Sequence, residues 1–109
     1  MIYIFSAFYA EAKNIIEHYG LKKEKSPETV RFDVFANDSI RLVITGIGEI
    51  NAAAAVSNIG GAYGISPDDE ILNVGCGAGF SNETCLGSIF LGNKLTEQMT
   101  GRTFYPDML

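Results

Sequence analysis

The order of strand-type and helix-type segments along the chain most limits the fold that it can adopt. Two segments have the apolar spacing of a helix, residues 8–19 and residues 49–62. Strands are predicted for five runs rich in Ile, Val, Leu, Tyr and Phe, namely residues 2–6, 30–36, 39–45, 70–74 and 88–95. The order β-α-β-β-α-β-β predicts an α/β fold with a mostly parallel, mixed sheet of five to six strands and two helices.

Local signals support these boundaries. Gly20 is expected to end the first helix, and Asn37-Asp38 predicts a hairpin turn between two strands. Residues 21–29 are polar and are expected to form a loop. The first helix should bury one stripe of side chains, namely Phe8, Ala12, Ile15, Ile16 and Tyr19.

The number of helices is small for a sheet of this size. A parallel sheet is normally covered by helices on both faces. Five or six strands with two helices therefore suggest that one face lacks its cover. We expect the 109 residues to form one portion of a single domain, either within a larger chain or within an oligomer.

Composition excludes several functional classes. The net charge of −5 argues against nucleic-acid binding, and no run approaches the 20 or so apolar residues that cross a membrane. The N-terminal segment lacks the features of a signal peptide, so a cytoplasmic location is expected. Cys76 and Cys85 have no His or Cys neighbour at ligand spacing, and we predict no metal site.

Two glycine-rich turns follow predicted strands, where α/β sheets bind their ligands. The first is Gly46-Ile47-Gly48, which opens the second helix and is either a ligand contact or a tight structural turn. A dinucleotide fingerprint is disfavoured there because the third glycine is missing and Glu49 would repel a phosphate. The second turn, residues 75–79 with sequence Gly-Cys-Gly-Ala-Gly, suits a backbone lying flat under a planar ligand.

Taken in order, four segments resemble the purine nucleoside phosphorylase and nucleosidase superfamily, and in particular the methylthioadenosine/S-adenosylhomocysteine nucleosidases. They cover nearly the whole chain. The segments are Ile4-Phe5-Ser6-Ala7-Phe8-Tyr9-Ala10-Glu11, Thr45-Gly46-Ile47-Gly48-Glu49-Ile50-Asn51-Ala52-Ala53, Ile71-Leu72-Asn73-Val74-Gly75-Cys76-Gly77-Ala78-Gly79 and Leu86-Gly87-Ser88-Ile89-Phe90. The resemblance implies an incomplete three-layer domain of the phosphorylase/hydrolase type.

The resemblance also implies roles for individual residues. Glu11 matches the carboxylate that positions and deprotonates the attacking water. The alternative without a catalytic role is an exposed Glu in the first turn of a helix, where the helix dipole stabilises it. Cys76 matches a serine that helps to hold the ribose, and the alternative is a buried structural thiol. Gly77, Ala78 and Gly79 match the backbone that lines the purine, and Ile47 and Gly48 in the first glycine turn are further candidates for substrate binding.

Residues 99–106 match a segment that reaches into the neighbouring subunit in this family. Phe104 or Tyr105 could pack on the 5′ substituent of the nucleoside, or could be an aromatic of a dimer core. Arg102 could pair with a carboxylate. A homodimer or higher homo-oligomer is therefore expected, with a purine nucleoside as the small-molecule partner and with no cofactor.

The resemblance favours hydrolysis over phosphorolysis. The related phosphorylases carry arginines near the first strand and before the second glycine turn, where this chain has Glu11 and Asn73. A phosphate dianion needs such charge-assisted donors, so water is the expected nucleophile. A nucleoside phosphorylase stays the alternative.

Two catalytic elements of the family have no counterpart in the sequence. No Met-Glu dipeptide, which binds the ribose hydroxyls, occurs in the 109 residues, and the aspartate that protonates the purine N7 is not matched. Without that acid the chain is expected to be poorly active or inactive by itself. A non-catalytic module for nucleoside binding or dimerisation is the second alternative.

Overall fold

The computed structural model describes residues 1–80 and 82–106, which form two compact units that are described separately. The first unit runs from Met1 to Gly77, and the second begins at Ala78. Ser81 and residues 107–109 lie outside the described residues.

The first unit is an α/β sandwich around a five-stranded mixed sheet. Its elements are β1 (Ile2–Ser6), α1 (Tyr9–Tyr19), β2 (Lys22–Lys23), β3 (Asp33–Ala36), β4 (Ile40–Ile44), α2 (Glu49–Tyr63) and β5 (Glu70–Asn73). The strand order is β2-β3-β4-β1-β5. β1 pairs in parallel with β4 and β5, whereas the β2–β3 and β3–β4 pairs are antiparallel. The α/β prediction is confirmed, but the sheet is evenly mixed because β2 and the hairpin add antiparallel pairs.

The predicted helix end and hairpin turn have the local geometry that their residue types favour. Gly20 has a left-handed backbone, with φ of 62°, and its N–H lies 3.3 Å from the Glu17 carbonyl. In the hairpin the Asn37 Oδ1 accepts hydrogen bonds from the N–H groups of Ser39 and Ile40, both at 2.8 Å. The segment 21–29 is not wholly loop, because its first residues pair with β3 as β2.

Alternating side chains of β1 build a core on each face of the sheet. Tyr3 and Phe5 pack with Ala55 and Ile59 of α2. Ile4 projects to the opposite face, which α1 covers with Ala12, Ile16 and their neighbours. Each face thus has one helix, and the expectation that a whole face lacks its cover is wrong.

The poorly covered parts of the first unit are instead the edge strand β5 and the two ends of α1. Residues 70–74 have the apolar run of a buried strand, yet Ile71 is 51% and Leu72 43% exposed because β5 lies at the edge of the sheet. In the predicted α1 stripe Ala12 and Ile16 are buried, whereas Phe8 and Tyr19, at the two ends, are exposed.

The second unit contains one short hairpin. β6 (Leu95–Thr96) pairs antiparallel with β7 (Thr103–Phe104). The prediction of a strand over 88–95 is wrong except at its last residue. Ile89 and Leu91 are almost fully exposed, and a strand persists only where a neighbour satisfies its backbone groups.

No helix within residues 1–80 and 82–106 is long and apolar enough to cross a membrane.

Candidate functional site

The carboxyl ends of β4, β1 and β5 meet at one edge of the first unit, which is where α/β sheets place their ligand sites. A cleft of about 320 Å³ opens there. Its volume is at the lower end of the range for small-molecule sites, roughly 300–1,000 Å³. The residues that line it are Ala7, Thr45, Gly46, Gly48, Glu49, Ala52 and Asn73.

The first glycine turn forms one wall of this cleft. Gly46 and Gly48 have φ of 85° and 91°, which L-residues with a side chain rarely adopt. The Asn51 amide donates a 2.7 Å hydrogen bond to the Ile47 carbonyl and lies 3.2 Å from the place where a Cβ on Gly46 would be. Asn51 therefore holds the turn from within the loop, and the positive φ favours glycine at position 46, where a Cβ would also crowd the Asn51 amide.

Of the two predicted binding residues in this turn, Gly48 lines the cleft and Ile47 does not. The Ile47 side chain is 67% exposed. Gly48 also precedes the first residue of α2, so the cleft lies at a helix N-terminus. Glu49 contributes a carboxylate to the lining, which disfavours a phosphate or pyrophosphate at this point.

Glu11 lies at the carboxyl end of β5. It is in the first turn of α1 and is half-buried, and its Oε2 lies 3.1 Å from the position of a Cβ built on Gly75. Among the described residues, none donates a hydrogen bond to this carboxylate or forms an ion pair with it. Glu11 is thus half-buried, whereas the alternative prediction was an exposed Glu at the start of the helix. Its oxygens are available to a ligand or to water.

Among the described residues, no lysine or arginine lines the cleft. Arg41, at the middle of the sheet, is engaged elsewhere: its Nη2 and Nε each lie 3.4 Å from an oxygen of Glu24, and its guanidinium stacks 3.8 Å from the centre of the Tyr63 ring. Burial and the Glu24 carboxylate raise the pKa of the Tyr63 phenol, which donates a 2.7 Å hydrogen bond to Glu24. This cluster leaves Arg41 unavailable as a phosphate ligand.

The second glycine turn, residues 75–79, has an ordinary backbone conformation and is largely exposed. None of Gly75, Gly77 and Gly79 has a positive φ. In the first unit Gly75 faces Glu11, while Cys76 and Gly77 are exposed. The alternative of a buried structural thiol at Cys76 is therefore wrong.

The other predicted site residues belong to the second unit. Ala78 and Gly79 are exposed, and a Cβ on Gly79 would lie 2.6 Å from the Thr84 Oγ1, so packing within that unit explains this glycine. Phe104 and Tyr105 are each 48% exposed. Arg102 lies over the Phe104 ring at 5.6 Å, and in the described part of the chain no carboxylate pairs with it.

Four cleft or turn residues were not singled out as site residues from the sequence: Ala7, Thr45, Asn51 and Ala52. Thr45 is buried and follows directly on β4, and Ala7 follows directly on β1. A small or polar residue immediately after a buried parallel strand is the signal that could have identified both.

Replacing Gly46 with alanine should weaken binding of a ligand seated in this cleft, with adenosine as the probe, by about tenfold, because the new Cβ would lie 3.2 Å from the Asn51 amide nitrogen and push the side chain that holds the cleft wall. The matched control is Gly64→Ala, at the other end of α2, where φ is also positive, at 67°, but nothing lies within 4 Å. Both variants should lose about 1–2 kcal/mol of stability. Titration calorimetry that finds equal affinity loss in the two variants would place the ligand outside this cleft.

Comparison with protein-family models, with curated proteins and with solved structures found no match to this chain.

Proposed function

We propose that this chain is the nucleoside-binding and water-activating part of a purine nucleosidase, which hydrolyses the N-glycosidic bond of adenine nucleosides such as methylthioadenosine. The observation that carries the proposal is the Glu11 carboxylate, half-buried beside Gly75 and free of any donor among the described residues. A carboxylate held at the carboxyl ends of parallel strands is suited to orient a water molecule.

The reaction follows from the chemistry of that group. Glu11 accepts a proton from water while the water oxygen bonds to C1′ of the ribose. The C1′–N9 bond breaks, its electron pair leaves with adenine, and the base takes up a proton at N7 from solvent, because no residue of this chain is assigned as that acid. The products are free adenine and the sugar with a hydroxyl at C1′.

Water is the preferred nucleophile over phosphate. The lining of the cleft carries Glu49 and lacks lysine and arginine, and Arg41 is already paired with Glu24. A phosphate dianion entering this cleft would meet a like charge and no cationic donor. A phosphorylase is therefore the weaker alternative.

The proposal has two further parts. The first is that the fold is a portion of a three-layer phosphorylase-like domain, and the second is that the protein is cytoplasmic. A helix on each face of the mixed sheet supports the first. The exposed free thiols of Cys76 and Cys85 suit a reducing compartment and support the second.

The test is adenine release from methylthioadenosine by the 109-residue chain, combined with calorimetry on adenosine. Because the sequence contains no Met-Glu pair and no matched acid for N7, we expect binding with turnover slower than typical enzyme rates by about 10²–10⁴-fold. Turnover at ordinary rates would contradict the assignment of the missing acid. Absence of binding heat at millimolar adenosine would contradict the proposed function itself.

A second candidate is a nucleoside-binding module without catalysis. It is favoured by the cleft lining, in which Glu49 is the one ionisable side chain among the described residues and to which Glu11 does not belong. Calorimetric binding of adenosine without any adenine release after prolonged incubation would support this candidate over the first.

A further inference from the structure

Glu49 brings a negative charge to the cleft that is not used in an ion pair. It is the one ionisable side chain among the described residues that line the cleft. None of the ion pairs formed within residues 1–80 and 82–106 includes it, and the side chain is exposed. Its carboxylate is therefore available to pair with a cation that a ligand carries.

The start of helix α2 does not cancel this charge. The N-terminus of a helix carries about half a positive charge. Glu49 is the first residue of α2, and its carboxylate carries a full negative charge. The chain as a whole is also negative, with a net charge of −5. The field at this side of the cleft therefore favours a positive group over a neutral one, and a neutral group over an anion.

The order of the strands places Glu49 and Glu11 on different sides of β1. Glu11 lies beside Gly75, which follows β5, whereas Glu49 follows β4. β1 lies between β4 and β5, and neighbouring strands are about 4.8 Å apart, so β4 and β5 are separated by roughly 10 Å. The two carboxylates therefore face different parts of a ligand that spans these strands.

We propose that Glu49 makes the cleft prefer adenine nucleosides whose 5′ substituent is positively charged, such as an ammonium group. This inference rests on the proposed function, which places C1′ of the ribose beside the water that Glu11 holds, on the β5 side. C4′, which carries the 5′ substituent, lies across the ring oxygen from C1′. The substituent therefore extends from β5 toward β4, where Glu49 lines the cleft.

Three ligands of similar size test this preference by calorimetry on the full 109-residue chain at low salt. The ligand 5′-amino-5′-deoxyadenosine has an ammonium group in place of the 5′ hydroxyl of adenosine, and about pH 5.5 keeps the amine protonated. The ligand 3′-amino-3′-deoxyadenosine carries the same charge elsewhere on the sugar. Because an exposed ion pair is weak, we expect the 5′-amino ligand to bind about two- to fivefold more tightly than adenosine. The 3′-amino ligand should gain less than about 1.5-fold.

Two variants show whether the gain comes from Glu49. Glu49→Gln removes the charge and keeps the size of the side chain, so the gain should disappear. Glu70→Gln is the matched control, because Glu70 is exposed and begins β5, at the ends of the parallel strands away from the cleft. It changes the net charge equally and should keep the gain. Salt at about 1 M, where the Debye length is about 3 Å, should abolish the gain in the wild type.

Four results would overturn the proposal: a gain that survives in Glu49→Gln, a gain that Glu70→Gln also loses, an equal gain for the two amino ligands, or a gain unchanged by salt. Adenosine that binds with no gain for the 5′-amino ligand would overturn it as well, and would leave the proposed function in place. Absence of binding by all three ligands would contradict the proposed function and this inference with it.

Discussion

Replacing Leu42 with alanine should lower the free energy of unfolding by about 2–5 kcal/mol. Leu42 lies on β4, the neighbour of β1, and is 0% exposed among Ile4, Ala12 and Ile16. Truncation leaves a cavity that one thin helical layer cannot easily close. Domains of this size have total stabilities on the order of 5–15 kcal/mol, so the loss should be evident as a marked fall in the urea midpoint.

The matched control for this variant is Ile50→Ala, in which a side chain of similar size is 82% exposed. Its effect on monomer stability should stay within about 0.5 kcal/mol. A loss below about 1 kcal/mol for Leu42→Ala would mean that the core between β4 and α1 is not packed as the structure describes.

Under the proposed function, replacing Glu11 with glutamine should lower the residual rate of adenine release by about 10²–10⁴-fold, because the amide cannot accept the proton of the attacking water. Shape is nearly conserved, so affinity for adenosine should change by less than about threefold. Single-turnover measurement of adenine release, with calorimetry beside it, separates the chemical step from binding.

Glu17→Gln is the matched control on the same helix. Glu17 is well exposed and lies 4.0 Å from Lys13, an i,i+4 surface pair that contributes little. It should leave the rate of adenine release unchanged. If both variants slow the reaction equally, the effect is one of net charge, and Glu11 has no specific part in activating water.

The elements that could be predicted from the sequence are those with strong local signals. The run over residues 2–6 became β1 without change, and Gly20 ends α1 as its freedom at positive φ allows. Asn37 forms the hairpin turn with its own side chain. Such contacts join residues close in sequence, so the amino-acid types alone carry the information.

Predictions that depended on distant neighbours were less successful. The residues 88–95 have the apolar character of a strand, but apart from Leu95 they form none, because a strand needs a partner that its own residues cannot specify. The same reason explains β5: its residues predict burial on both faces, whereas its place at the edge leaves Ile71 and Leu72 half exposed.

The same distinction between local signals and contacts of distant residues applies to the candidate site. Gly46 and Gly48 could be singled out from the chain itself, since glycines directly after a predicted strand suggest a ligand site, whereas Glu11 was singled out through the family resemblance. The approach of Glu11 to Gly75, and the grouping of Ala7, Thr45 and Asn73 around one cleft, depend on β1 lying between β4 and β5. The sequence by itself determined which chemical groups the candidate site can offer, because these are properties of the amino-acid types. Only the tertiary structure decided which of them meet, because pairing of parallel strands joins segments that are far apart in the chain.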